Sequence, residues 1–247
     1  MRHTFRYVVP VVPAAGADLS LDEAASHHLA RVVRRRPGDT VEVIAPSGEI
    51  WSCEVLDPGP PAVLRMGAAP RPAPVVPPVD LWVGLCDASR LEMLAGKAAE
   101  LGVRSLTVMG TARARRVPDA RSWARRAERM ARVAEAAARQ SGRGAWPAPG
   151  PLVPLDDVLT QIAPEQGIIL DPRAAVPLAD LMRTRPATEP VSILVGPDTG
   201  FDEAEVDQVV AHGLAAAVLI PGMLRAETAA IAAAVVAIAV RGTAGEG

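Results

Sequence analysis

Residues 216–240 read AAVLIPGMLRAETAAIAAAVVAIAV, inside the most hydrophobic part of a chain of 247 residues. The run AAVLI at 216–220 has the length and apolar content of a buried strand. Pro221 and Gly222 break it, and an apolar run of helical length follows. Strand, Pro-Gly turn and helix in that order form the repeating unit of an open α/β sheet. Arg225, Glu227 and Thr228 interrupt this apolar stretch within four positions. Either they cap the helix, where a first-turn carboxylate complements the dipole, or the chain brings polar groups to a ligand there.

Working outward, the same pattern repeats. LWVGLC (81–86), SLTVMG (105–110), GIIL (167–170) and VSILVG (191–196) alternate with helical stretches at 89–102, 121–141 and 202–213. Short continuous apolar strands alternating with helices predict a parallel sheet covered on both faces. Upstream the pattern changes at residues 68–80, AAPRPAPVVPPVD, with five prolines in 13 positions. So many prolines make a stiff, extended linker. Before it, FRYVV, TVEVIA and IWSCEVL read as strands, separated by the turn tripeptides PGD (37–39) and PSG (46–48). LDEAASHHLARVVR (21–34) reads as a helix, with Ala25, Leu29, Val32 and Val33 at helical spacing. The expected organisation is a small barrel-like module over 1–68, a linker over 69–79 and an α/β domain over 80–247.

About half the residues are apolar, but only seven are Phe, Tyr or Trp, so the core must be built from Ala, Val, Leu and Ile. This composition belongs to a soluble globular protein. Charge is split along the chain: residues 1–150 hold 21 Lys and Arg against 15 Asp and Glu, and residues 151–247 hold 5 against 13. The first part suits a polyanion and the second does not. Lys97 is the only lysine, so the positive charge is nearly all guanidinium, which suits bidentate phosphate contacts. Cys53 and Cys86 are too few for a disulfide framework or a zinc site, which fits a cytoplasmic protein. The N-terminus lacks a signal-type apolar region, and residues 226–240 are too short to span a bilayer, so no membrane partner is expected.

Ligands of open α/β sheets bind outside the carboxyl ends of the strands. VSILVGPDTGF (191–201) and AAVLIPGMLRAETAA (216–230) both place glycine directly after a strand, where backbone can approach a ligand closely. Neither is a dinucleotide GxGxxG or a P-loop. His27 and His28, adjacent on a helix, do not share a face and have no carboxylate or cysteine at ligand spacing, so no metal is expected. Arg31, Arg34, Arg35 and Arg36 form one basic cluster, and residues 113–143 carry ten arginines, with a stripe at Arg125, Arg129 and Arg132. Two such clusters in the positively charged part make nucleic acid a candidate partner.

With these motifs in hand, the chain resembles the SPOUT-class 16S rRNA uracil-N3 methyltransferases (RsmE-like) over essentially its whole length. HHLARVVRRRPGDTVEV (27–43), LEMLAGKAAELGV (91–103), RQSGRGAWP (139–147), LVGPDTGFDEAEVD (194–207) and LIPGMLRAETAA (219–230) carry the likeness. The last is the most specific. The resemblance implies an N-terminal PUA-like β-barrel and a C-terminal SPOUT sheet with a deep trefoil knot, an exception to the usual absence of threaded connections. It implies a homodimer acting on ribosomal RNA or the small ribosomal subunit, with S-adenosyl-L-methionine as cofactor and no metal. The implied cofactor residues are Leu194, Gly196, Pro197, Asp198, Gly200, Leu219, Ile220, Gly222, Met223, Leu224, Glu227 and Thr228. Arg225, Arg143 and Arg113 are the implied catalytic residues. Arg6, His28, Arg31, Arg34, Arg125 and Arg129 are implied in RNA binding.

The chain departs from the family pattern at four places. GPDTG stands for Gly-Pro-Glu-Gly-Gly, and its threonine tolerates a positive φ poorly, so a local difference in the loop is expected. Asp87 stands for a lysine, Ala112 for a glutamate and Ala136 for another. Another RNA or a small molecule as methyl acceptor, and an RNA-binding module without catalysis, stay open as alternatives at this point.

Overall fold

The structure, a computed structural model, describes residues 5–72, 75–114 and 117–243. Ala73 and Pro74 of the proline-rich segment and Arg115 and Arg116 of the arginine-rich one lie outside the described residues. The chain divides into two compact units after Val75, and Ala138–Ala145 groups with the first.

The first unit holds β1 (Arg6–Val8), β2 (Asp18–Ser20), α1 (Glu23–His27), β3 (Thr40–Ile44), β4 (Ile50–Asp57) and β5 (Val63–Met66). The strands form one curled sheet in the order β1-β3-β4-β5-β2, antiparallel except for the β1–β3 pair. This half-barrel is the PUA-like module. Alternation along β4 puts Cys53 and Val55 in a core with Tyr7, Leu29, Val41, Val43 and Leu64. Asp22 caps α1 by accepting from Ala25 N at 2.7 Å. The helix expected over 21–34 does not stay α-helical: residues His28–Val33 form a π-helix, which Arg34 ends at φ 55°. A π-turn takes one more residue per turn and rotates the side chains that follow it.

The second unit holds β6 (Val79–Gly84), α2 (Ala88–Leu101), β7 (Ser105–Gly110), most of α3 (Ala120–Ser141), β8 (Val153–Pro154), α4 (Leu155–Leu159), β9 (Gly167–Leu170), α5 (Leu178–Arg183), β10 (Val191–Val195), α6 (Glu203–Ala211), β11 (Ala215–Ala217) and α7 (Ala226–Thr243). Its six strands are all parallel, in the order β11-β9-β10-β6-β7-β8. β6 and β10 are buried at every position because helices cover both faces. On one face Trp82, Met109, Ile169 and Leu194 pack with Val158 of α4 and Val209 of α6. α7 packs against α2, α5, β6 and β10. β6 connects onward to β7 on one side and β10 connects onward to β11 on the other, so the direction of winding reverses between β6 and β10, the kind of switch point where ligands bind.

Two local differences from the sequence reading matter to the site. The strand expected at 216–220 ends at Ala217, Val218 bridges to Pro177, and residues 219–225 are loop. Gly84, the last residue of β6, lets the loop after β10 settle directly on it: a Cβ there would collide with the backbone nitrogen of Pro197.

Candidate functional site

The loops that follow β9, β10 and β11 enclose a cleft of ≈ 630 Å³, within the range of about 300–1,000 Å³ of small-molecule sites. Residues 196–200 leave β10 in a tight turn. A side chain on Gly196 would press on Phe201 N at 2.9 Å. The positive φ falls on Gly200, at 70°, so Thr199 escapes the strain that its β-branch would cause. Asp202 then caps α6 in a reciprocal box: it accepts from Glu205 N at 2.8 Å, and its own N–H donates to Glu205 at 3.0 Å.

Of the residues implied in cofactor binding, Gly196, Pro197, Asp198, Gly200, Leu219, Ile220, Gly222, Met223 and Leu224 line this cleft. Leu194 is buried in the core below it. Glu227 is buried and Thr228 exposed, both outside the lining. Arg113 lines the cleft and exchanges hydrogen bonds with Thr199: its Nη1 donates to Thr199 O at 3.2 Å, and Thr199 Oγ1 donates to Arg113 O at 3.1 Å. Arg225 is exposed and not in the lining. Arg143 groups with the first unit, where burial lowers its pKa.

Among the residues implied in RNA binding, Arg31, Arg34 and Arg125 are exposed. Arg129 pairs with Glu92 at 2.9 Å. Arg6 pairs with Glu42 at 2.7 Å. His28 Nδ1 lies 3.2 Å from Tyr7 Oη and edge-on to the Phe5 ring, whose face Arg35 covers.

Several polar residues at the cleft were not singled out in the sequence. Asp171 and Arg173 line it after β9. Burial works against the Asp171 charge, yet hydrogen bonds from Arg173 hold its pKa below the usual carboxylate range. The run LDPR directly after an apolar strand was the signal available for them. Arg90, in the first turn of α2, bonds Asp198 and lies 3.8 Å from both Asp87 and Glu227. Burial, and then the carboxylates of Asp198 and Glu227, push the neighbouring Cys86 thiol up to about 12. Beside the cleft is a second cavity, lined by Leu85, Cys86, Asp87, Ala88, Arg126, Asp198 and Thr199. Among the described residues, no group of His, Cys, Asp and Glu could hold a metal ion.

A parallel sheet with glycine loops at its carboxyl edge, closing on one small-molecule cleft, defines an α/β ligand-binding protein of the switch-point type. The family model described as RNA methyltransferase domain matches residues 72–238, and that described as RNA methyltransferase PUA domain matches residues 21–66. The chain therefore belongs to the RNA methyltransferase family. It is 27% identical over 242 residues to the ribosomal RNA small subunit methyltransferase E of Mycobacterium tuberculosis, covering 92% of this chain and 88% of that one. The Synechocystis protein of the same name is 27% identical over 231 residues, with 91% and 74% covered. Among solved structures, a putative methyltransferase from Legionella pneumophila in complex with S-adenosylmethionine is 25% identical, with TM-score 0.82, over 95% of this chain and 97% of that one. A small subunit methyltransferase E from Neisseria gonorrhoeae, also bound to S-adenosylmethionine, shares the fold at TM-score 0.81 and 23% identity, with 94% and 95% covered.

Proposed function

We propose that this chain transfers a methyl group from S-adenosyl-L-methionine to N3 of a uridine in 16S ribosomal RNA of the small subunit. The observation that carries the reading is the cleft itself, in a chain that aligns over nearly its full length with proteins named as small subunit rRNA methyltransferases. Its make-up fits this cofactor, which is amphipathic and cationic. Leu219, Ile220, Met223 and Leu224 supply apolar wall, the glycine loops supply backbone, and Asp171, Asp198 and Asp202 supply negative charge. When bound, the cofactor supplies an electrophilic methyl on a sulfonium, which becomes a neutral thioether.

The protein's own groups have three tasks. The loops hold the acceptor and methyl in line, and alignment of this kind is worth several orders of magnitude in rate. Arg113, whose guanidinium donates to Thr199 O, is proposed to stabilise charge that develops on the acceptor ring. Arg225 and Arg143 are proposed to share that work. The module over 1–68 grips RNA through Arg6, His28, Arg31 and Arg34, and Arg125 and Arg129 extend the grip over the domain at 80–247, with residues 69–79 between them. We further propose that the apolar run at 214–240 threads a trefoil knot and packs in a cytoplasmic homodimer.

Calorimetry is expected to show one S-adenosylmethionine site per chain. Small ribosomal subunits lacking the modification, incubated with protein and cofactor, are expected to gain one 3-methyluridine, read by nuclease digestion and mass spectrometry. Absence of cofactor binding sinks the enzyme reading. Binding with a different methylated product sinks the uridine assignment alone.

A further inference from the structure

The second cavity shares Asp198 and Thr199 with the cofactor cleft, so whatever occupies it lies beside whatever occupies the first. Arg126 enters it from α3. This side chain is half-buried, and among the described residues it has neither a hydrogen bond nor an ion pair. With no acceptor from the fold, its guanidinium donors are open to whatever enters the cavity. Here two carboxylates line the same cavity, and neither pairs with it. Asp198 is bonded to Arg90, and Asp87 lies within 3.8 Å of Arg90. Arg90 therefore occupies the acidic side, and Arg126 keeps its donors for a ligand.

We infer that this cavity receives the base to be methylated, and that Arg126 donates to a carbonyl oxygen flanking the acceptor nitrogen. The inference rests on the function proposed above and deepens it. A guanidinium on one wall and a carboxylate, Asp87, on another match adjacent acceptor and N–H donor positions on the edge of a uracil ring. Cytosine presents an unprotonated N3 next to its carbonyl, and its donor on that edge, the exocyclic amino group, lies one position further away, so the pair of groups matches it less well. Once N3 has released its proton to water, the negative charge spreads onto the flanking oxygens. Arg126 then bonds a charged acceptor, which is stronger than a bond to a neutral one. The group thus binds the ring modestly and its anion more tightly.

The test is Arg126→Met, with Arg126→Lys and Arg126→Gln beside it, in the full chain. Affinity for an rRNA fragment containing the target uridine, measured without cofactor, is expected to fall about threefold to tenfold. Transfer at saturating RNA is expected to fall tenfold or more, while the dissociation constant for S-adenosylmethionine stays within twofold. Lysine keeps the charge and is expected to recover part of the loss. The rate should rise with pH as N3 deprotonates, and its inflection should move upward in Arg126→Met. The charged and titratable groups around the site are Asp87 and Cys86 beyond β6, Arg90 on α2, Asp198 on the glycine loop and Glu227 on α7, and all are unchanged in the variant. Wild-type RNA affinity with an unmoved inflection overturns the inference. So does a parallel loss of cofactor affinity in all three variants, which would place Arg126 in the cofactor site. Failure of the wild-type protein to bind cofactor would instead count against the proposed function, because the RNA-affinity arm is read without cofactor.

Discussion

At Arg90 one guanidinium from the first turn of α2 meets three carboxylates, Asp87, Asp198 and Glu227. Asp198 belongs to one glycine loop, and Glu227 lies in the first turn of the helix that follows the other, so Arg90 ties the two segments together from outside the cleft lining. Glu227 is almost fully buried, and one of its oxygens has no hydrogen-bond partner among the described residues. Removing the counter-ion from a buried carboxylate is costly, and the cost here is about 1–3 kcal/mol because Arg90 remains partly solvated. Arg90→Met is therefore expected to weaken S-adenosylmethionine binding about tenfold by calorimetry. Arg90→Lys should recover part of the loss, and adding Glu227→Gln to Arg90→Met should recover more. Equal cofactor affinity in Arg90→Met and wild type would show that Arg90 does not position the loops. Nothing in the sequence singled out Arg90, because Asp198 lies 108 residues away and the pairing exists only once the sheet has formed.

Among the elements, the long, strongly periodic ones are where the sequence reading predicts them. α3 buries Trp123, Met130, Ala134 and Ala138 along one stripe and leaves arginines on the other side, and β7 spans the residues read as strand. α6 starts at Glu203 because Asp202 and Glu205 form a capping box, a pattern that local sequence carries. Asp202→Ala is expected to cost about 1 kcal/mol and lower the melting temperature by about 2–4 °C, read by calorimetric scanning. An unchanged melting temperature would mean that packing alone fixes the start of α6. Short elements escaped the pattern. α4, α5 and β8 have six residues or fewer, too few for a period to register. The π-helix at His28–Val33 is likewise invisible to periodicity, since its residue types suit an α-helix equally well.

Over the whole molecule, Arg241 shows what distant segments contribute. Its guanidinium is fully buried and donates to the carbonyls of Pro78, Pro186, Ala187 and Glu189. It thereby ties the end of α7 to the entry of β6 and to the approach to β10. Arg241→Met leaves those carbonyls without their charged donor, and each such bond is worth about 1.5–3 kcal/mol. A loss of at least ~3 kcal/mol is expected, seen as a lower urea midpoint with an unchanged slope. A midpoint within error of wild type would show that water satisfies the same carbonyls. The sequence by itself determined the α/β class, the separate β module before it and the two glycine loops, because hydrophobic period and turn chemistry are local. Its LRAETAA motif also carried the family resemblance. Only the tertiary structure decided which side chains share a site. Arg113 is brought against Thr199, Arg90 against Asp198 and Glu227, and Arg126 into the cavity beside them. α3 presents Arg125 and Arg126 about 100° apart on its surface, so neighbours in sequence face different surroundings. That direction depends on how the helix packs, which no local pattern records.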